Sequence, residues 1–327
     1  MNATITAFDS YLPERVVTNH ELAMQMDTSD EWIRSHTGIT ERHFAAPDEA
    51  ASDLAIEAGR RILAKRGIGP AEIDMVIVAS STTDYPNFPA TASIVQDRLR
   101  CVNAGAFDLS AGCTGFVYGL ELARSLVDAG SVGTVLLIGA EVLTKIANWN
   151  DRNSCVLFGD GAGAALIEST DRPGHRVLQS YLRSKGSGDQ ALIRPVGGSR
   201  TPFDPEHHTA ADLQLVMDGR SVYLFAVDAF VRTIRTLCDR EGIETADLDW
   251  VVPHQANVRI IEAAAKRLGL PVDLFYTNLD RFANTSAASI PIAITEMVER
   301  DLLTPGQKVL TVGFGAGLAY GGNLLHW

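Results

Sequence analysis

The feature that most constrains the fold is a helix-turn-strand unit that occurs twice at one spacing. RGIGPAEIDMVIVAS, from Arg66 to Ser80, resembles REGIETADLDWVVPHQ, from Arg240 to Gln255, as a helix end, a glycine stop, a short turn and a buried strand. Gly67-Ile68 aligns with Gly242-Ile243, Ala71 with Ala246, and Ile73-Asp74 with Leu248-Asp249, each pair 175 positions apart. The strand-like GTVLLIGAE, Gly133 to Glu141, matches QKVLTVGFG, Gln307 to Gly315, at a spacing of 174. Two regions at nearly one spacing indicate duplication. They predict two similar halves joined near the turn-rich STDRPGHR at 169–176, and a functional site free to draw on both.

Between these repeats, apolar runs of strand length alternate with amphipathic stretches of helix length, the pattern of an α/β protein with buried strands. At 327 residues the chain is long enough for two such units, and 46% hydrophobic with 21% charged residues is an ordinary globular balance. No segment reaches the roughly 18 to 20 continuous apolar residues of a membrane span. MNATITAFDSYLPERVVTN reads as a first strand rather than a signal peptide, so a cytoplasmic location is expected. The formal net charge of −12 argues against nucleic acid as the main partner. Four cysteines without CxxC or regular spacing give neither a disulfide framework nor a metal site.

One of those cysteines stands apart. Cys113, in FDLSAGCTGFVYGLELARSLVDAG, lies where a strand turns through small residues into an amphipathic helix. Unpaired N–H groups and the dipole at a helix start favour thiolate over thiol, whereas Cys101, Cys155 and Cys238 lie in apolar surroundings. His254, in PHQAN, ends the buried strand DWVV, the place where open α/β sheets put their ligands. Asn284, in FANTSAASIP, sits in a second small-residue turn before a helix, where asparagine also serves as a cap. GFGAGLAYGG, Gly313 to Gly322, follows a strand and lets backbone approach a ligand closely, without matching GxGxxG.

Together these segments resemble β-ketoacyl-acyl-carrier-protein synthase III of the thiolase superfamily. The resemblance extends through DEWIRSHTGITERHF, NFPATAS, DRNSCVLFGDGAGAALIE, VMDGRSVYLFAV, VPHQANVRI and NTSAASIP, essentially the whole chain. It implies a thiolase-like fold: two duplicated βαβαβαββ halves, 1–172 and 173–327, packed as a five-layer αβαβα sandwich. It also implies a two-step reaction, in which an acyl-CoA primer is loaded on Cys113 and then condensed with malonyl carried on acyl carrier protein, starting fatty acid synthesis. Cys113, His254 and Asn284 form the implied triad, with the N–H groups of Cys113 and Ala316 as oxyanion donors. The family's commoner loop is GFGGG, so alanine at 316 is costly if that backbone needs positive φ.

The resemblance further puts CoA against Trp32, Arg152, Gly219, Ala256 and Asn257, with His36 where an arginine is common. Arg259, Lys266 and Arg267 share one face of the helix after PHQAN, a dock for acidic acyl carrier protein on an otherwise acidic chain, and the resemblance implies a homodimer in which Phe88 closes the partner's acyl pocket. No permanently bound cofactor and no metal are implied; acyl-CoA is a substrate. Three other readings compete: a related condensing enzyme or acyltransferase of a secondary-metabolite pathway, an inactive homologue, and a papain-like cysteine hydrolase. Retention of Asn284 favours carbon–carbon condensation, the intact triad opposes inactivity, and the duplicated α/β pattern opposes the hydrolase.

Overall fold

A computed structural model describes residues 2–171 and 174–327. The first half opens with β1 (Ala3–Tyr11) and then an excursion, β2 (Arg15–Thr18), α1 (Asn19–Ala23), α2 (Asp30–Thr37) and β3 (Glu41–Phe44), before α3 (Ala51–Arg66). It continues through β4 (Met75–Ala79), α4 (Thr91–Leu99), β5 (Gly105–Leu109), α5 (Gly115–Asp128), β6 (Thr134–Val142), α6 (Arg152–Cys155) and β7 (Asp160–Ser169). The second half has β8 (Arg176–Ser184) and its own excursion, the ribbon β9 (Leu192–Ile193) with β10 (Val216–Met217), before α7 (Gly219–Glu241). It ends with β11 (Trp250–Pro253), α8 (Val258–Leu268), α9 (Leu279–Phe282), α10 (Ser289–Glu299), β12 (Lys308–Gly315) and β13 (Ala319–His326). The expected junction between 172 and 173 lies outside the described residues.

The two large sheets repeat one topology. The first runs β1-β7-β6-β4-β5, with β6, β4 and β5 parallel and β1 and β7 antiparallel to their neighbours; the second runs β8-β13-β12-β11 with the same sense at each matching pair. The repeat extends to single hydrogen bonds. Asp74 donates its N–H to Thr134 O and accepts from Thr134 N, while Asp249 does the same with Lys308, 175 and 174 positions on. Gly67 and Gly242 end α3 and α7 at φ 72° and 71°, a left-handed stop that glycine adopts without a Cβ penalty. The second half departs from the expected βαβαβαββ at its third strand. There only Phe275 bridges Val251, because the chain turns into α9 before a ladder can grow.

Because β4 and β6 are covered on both faces, they carry the unbroken apolar runs MVIVA and TVLLI. Helices α3 and α4 cover the outer face of the first sheet and α7 and α8 that of the second, while α5 and α10 lie between the sheets. This is the five-layer arrangement. It brings the start of α5 from the first half against the end of β12 and the start of α10 from the second. Arg42, buried in β3, braces the first excursion by donating to Val17 O, Asn19 Oδ1 and Val156 O. No helix among the described residues is long and apolar enough to cross a membrane.

Candidate active site

A cavity of about 390 Å³ opens where the two halves meet, and both contribute to its walls. Cys113 lines it from a single 3-10 turn, Gly112–Thr114, that leads into α5. Close backbone packing makes the turn possible. Gly112 has φ 54°, and a Cβ there would lie 3.0 Å from Ala316 N; a Cβ on Gly315 would lie 2.5 Å from Cys113 N. The Cys113 turn and the glycine loop are thereby packed backbone to backbone. The concern over alanine at 316 does not hold, because the positive φ of this loop, 127°, falls on Gly317.

Cys113 alone among the four cysteines is not fully buried. In the resting pocket burial pushes the Cys113 thiol up to about 12, against smaller lowerings from Ser286 and from the backbone N–H of Cys113 itself, the kind of contribution a helix start supplies. The thiol therefore needs a proton acceptor as it reacts.

His254 follows β11 and is 1% exposed; burial lowers its pKa to about 3, so the ring is neutral. Its Nδ1 lies 2.7 Å from Ser289 Oγ, at the first turn of α10, and Ser289 Oγ accepts from Gln255 N–H at 3.3 Å. The serine hydrogen is then free to point at Nδ1, leaving the ring's own hydrogen on Nε2. Asn284 is buried in the turn before α10. Its Oδ1 accepts from Ser286 N–H at 2.9 Å, an Asx turn rather than a helix cap, and this turns the NH2 group the other way. Both side chains line the cavity with Cys113, and neither carries charge there.

Trp32, on α2, lines the same cavity with Gly219, Ala256 and Asn257. Arg152 does not; its guanidinium lies 5.3 Å above the Trp32 ring, held by Asp27. His36 stacks on the other residue of this group, Trp32, at 4.4 Å, with Nδ1 2.7 Å from Trp32 O. The Asn257 amide is engaged at both ends, accepting from Arg259 N and donating to His36 O, so it joins α8 to α2. Arg259 reinforces that joint by donating twice to Ser35 O. Lys266 is exposed on α8 and Arg267 pairs with Asp228.

Phe88 is 92% exposed and lies outside the cavity, which excludes an ordinary core phenylalanine. Sequence reasoning missed most of the apolar wall: Leu143, Val156, Leu157 and Phe314, and, from the second excursion, Leu192, Leu215 and Met217. A buried apolar run gives no sign of whether it faces a core or a cavity. Ser289 was missed as well, although its place five residues after Asn284 is readable once His254 is assigned.

A duplicated five-layer sandwich with a thiol at the seam defines an enzyme of the thiolase fold. The family models for 3-oxoacyl-[acyl-carrier-protein (ACP)] synthase III and for its C-terminal part match residues 107–186 and 238–327. The chain is 48% identical over 325 residues to β-ketoacyl-[acyl-carrier-protein] synthase III of Caldanaerobacter subterraneus subsp. tengcongensis, covering 99% of this chain and 98% of that one. The corresponding Clostridium acetobutylicum protein is 44% identical, over 97% and 96% of the two chains. Among solved structures, the synthase III of Thermus thermophilus superposes with a TM-score of 0.90 at 44% identity, over 99% of both chains. The chain belongs to the β-ketoacyl-[acyl-carrier-protein] synthase III family.

Proposed function

We propose that this enzyme condenses an acyl-CoA primer with malonyl carried on acyl carrier protein, through an acyl group held on Cys113. The observation that carries the reading is the convergence of Cys113, His254 and Asn284 at one cavity whose wall includes Trp32. In the first half-reaction the Cys113 sulfur adds to the primer's thioester carbon, the N–H groups of Cys113 and Ala316 receive the oxyanion, and CoA leaves. In the second, malonyl loses carbon dioxide and the electron pair passes into an enolate. His254 Nε2–H and the Asn284 NH2 donate to its oxygen; a carboxylate at either position would repel it. The carbanion adds to the acyl carbon, the C–S bond breaks, and Cys113 is released.

Trp32 and Arg152 suit a purine ring and its phosphates at the mouth, and Gly219 and Ala256 line the path of a pantetheine arm. Lys266 and Arg267 offer exposed positive charge to an acidic carrier. Arg259 is a poorer probe of docking than its exposure suggests, since reversing its charge would also loosen α2. The exposed Phe88 and the unpaired edge of β5 favour a homodimer. Use of acyl-CoA and acyl carrier protein as substrates favours a cytoplasmic location. A second reading has one support: the priming β-ketosynthase of the R1128 polyketide pathway superposes at a TM-score of 0.89 with 35% identity.

Intact mass after exposure to a panel of acyl-CoA donors tests the reading. One acyl group is expected per chain, lost in Cys113→Ala, and the favoured primer separates fatty-acid from specialised use. No acylation from any donor would refute it.

A further inference from the structure

The carboxyl group of Glu141 is 0% exposed at the end of β6, behind Cys113. It accepts from Thr82 Oγ1 at 2.6 Å and Ser81 N at 3.1 Å, with Ser80 Oγ at 3.4 Å and the Ala287 N–H adding to its shell. No Lys, Arg or His pairs with it among the described residues. The fold does not require a carboxylate there, because the duplicate position, 174 residues on, is Gly315. A buried acid with hydrogen bonds but no cation, beside a nucleophile that the repeat also lacks in its other half, has the character of a functional group.

Ser286 connects it to the sulfur. It lies in the turn before α10 that packs against both the Cys113 turn and β6, is 1% exposed, and its hydroxyl has no hydrogen-bond partner among the described residues. Its backbone is held at φ 48°, a left-handed conformation that serine rarely adopts. The alternative base, His254, already has Nδ1 engaged by Ser289 Oγ, and the tautomer in which the serine donates carries its N–H on Nε2.

We infer that Glu141, acting through the Ser286 hydroxyl, takes up the Cys113 proton during primer loading. As the sulfur forms its bond to the thioester carbon, the S–H proton passes to Ser286 Oγ and the serine proton passes to the carboxylate; the carbonyl π pair moves to oxygen. When the carbonyl re-forms, the bond to the CoA sulfur breaks, the carboxyl proton passes back to Ser286 Oγ and the serine proton passes to the CoA sulfur, so CoA departs as a thiol. Of the groups facing Glu141 from the β4 end, the Cys113 turn and the turn before α10, Cys113 is the titratable one. Burial holds Glu141 at about 7, so the relay runs only as pH rises through neutrality.

This rests on Cys113 being the acylated nucleophile, and the test separates the two claims. Single-turnover acylation by the primer identified in the mass panel, and alkylation of Cys113 by iodoacetamide, are measured from pH 5 to 9 in the full-length enzyme and in Glu141→Gln and Ser286→Ala. The wild type is expected to show an inflection near neutrality in both reactions. Each variant should lose it and acylate roughly 100-fold more slowly, while the double variant is no slower than either single one. Wild-type rates, or slowed rates with an unchanged pH profile, would overturn the relay. Should Glu141→Gln fail to fold, Ser286→Ala decides alone: an intact inflection overturns the proposal. A wild type that no donor acylates refutes the nucleophile instead, and the alkylation profile still tests the relay.

Discussion

Ser289 decides which way His254 presents its proton. The Gln255 N–H occupies an oxygen lone pair of Ser289, the serine hydrogen goes to Nδ1, and burial prevents the ring from taking a second proton. Replacing Ser289 with alanine leaves Nδ1 without a donor and makes the two tautomers compete. The expected loss of about 1–2 kcal/mol in the hydrogen bond to the enolate corresponds to a roughly tenfold slower release of carbon dioxide from malonyl carrier, with single-turnover acylation little changed. Asn284→Asp should act in the same direction and more strongly, since it brings a negative charge to the enolate oxygen. Equal slowing of acylation and decarboxylation in both variants would contradict these roles.

At the scale of elements, the two excursions occupy equivalent places in the repeat, each between a half's first strand and its first core helix, and both supply cavity wall: Trp32 from one, Leu192, Leu215 and Met217 from the other. The duplicated core sets the seam, and the glycine loop at the end of β12 fixes the nucleophile within it. Gly315→Ala would drive a Cβ to 2.5 Å from Cys113 N. Moving the turn away costs about 1–3 kcal/mol, and displacing the sulfur by even part of an ångström should slow acylation roughly 100-fold. Gly67→Ala is the control: at φ 72° with open space around it, it costs stability of about 1–2 kcal/mol without touching acylation. Thermal unfolding and single-turnover mass measurements distinguish the two. The core strands are readable from sequence because burial on both faces demands unbroken apolar runs and duplication repeats them. The excursions are not: they lack a period, and Leu192 or Met217 looks the same whether it faces core or cavity. Cys113, His254 and Asn284 are readable because each sits at an element boundary with small neighbours, whereas Glu141 is hidden as the next-to-last residue of an apolar strand.

Across the whole molecule, titratable groups shifted by burial pull stability in opposite directions as pH falls. His254, at about 3, and His175, at about 4, are both lowered by burial. From pH 6.5 downward the unfolded chain takes up protons that the folded chain refuses, and stability is lost. Glu141 works the other way: raised by burial to about 7, it contributes stability fully present below its unfolded value near 4.5 and lost as pH rises through 7. Between pH 6.5 and 4.5 its protonation therefore offsets one of the two histidines. Below 4.5 the offset ends, and Glu121 and Glu296, both lowered by arginine partners, add further loss. The wild type should accordingly lose stability gently to about pH 4.5 and steeply below it. Glu141→Gln removes the compensating proton, so the gentle limb should steepen by about 1.4 kcal/mol per pH unit in urea unfolding, beginning at pH 6.5. A variant curve parallel to the wild type would mean that Glu141 titrates in the native state as it does in the unfolded chain.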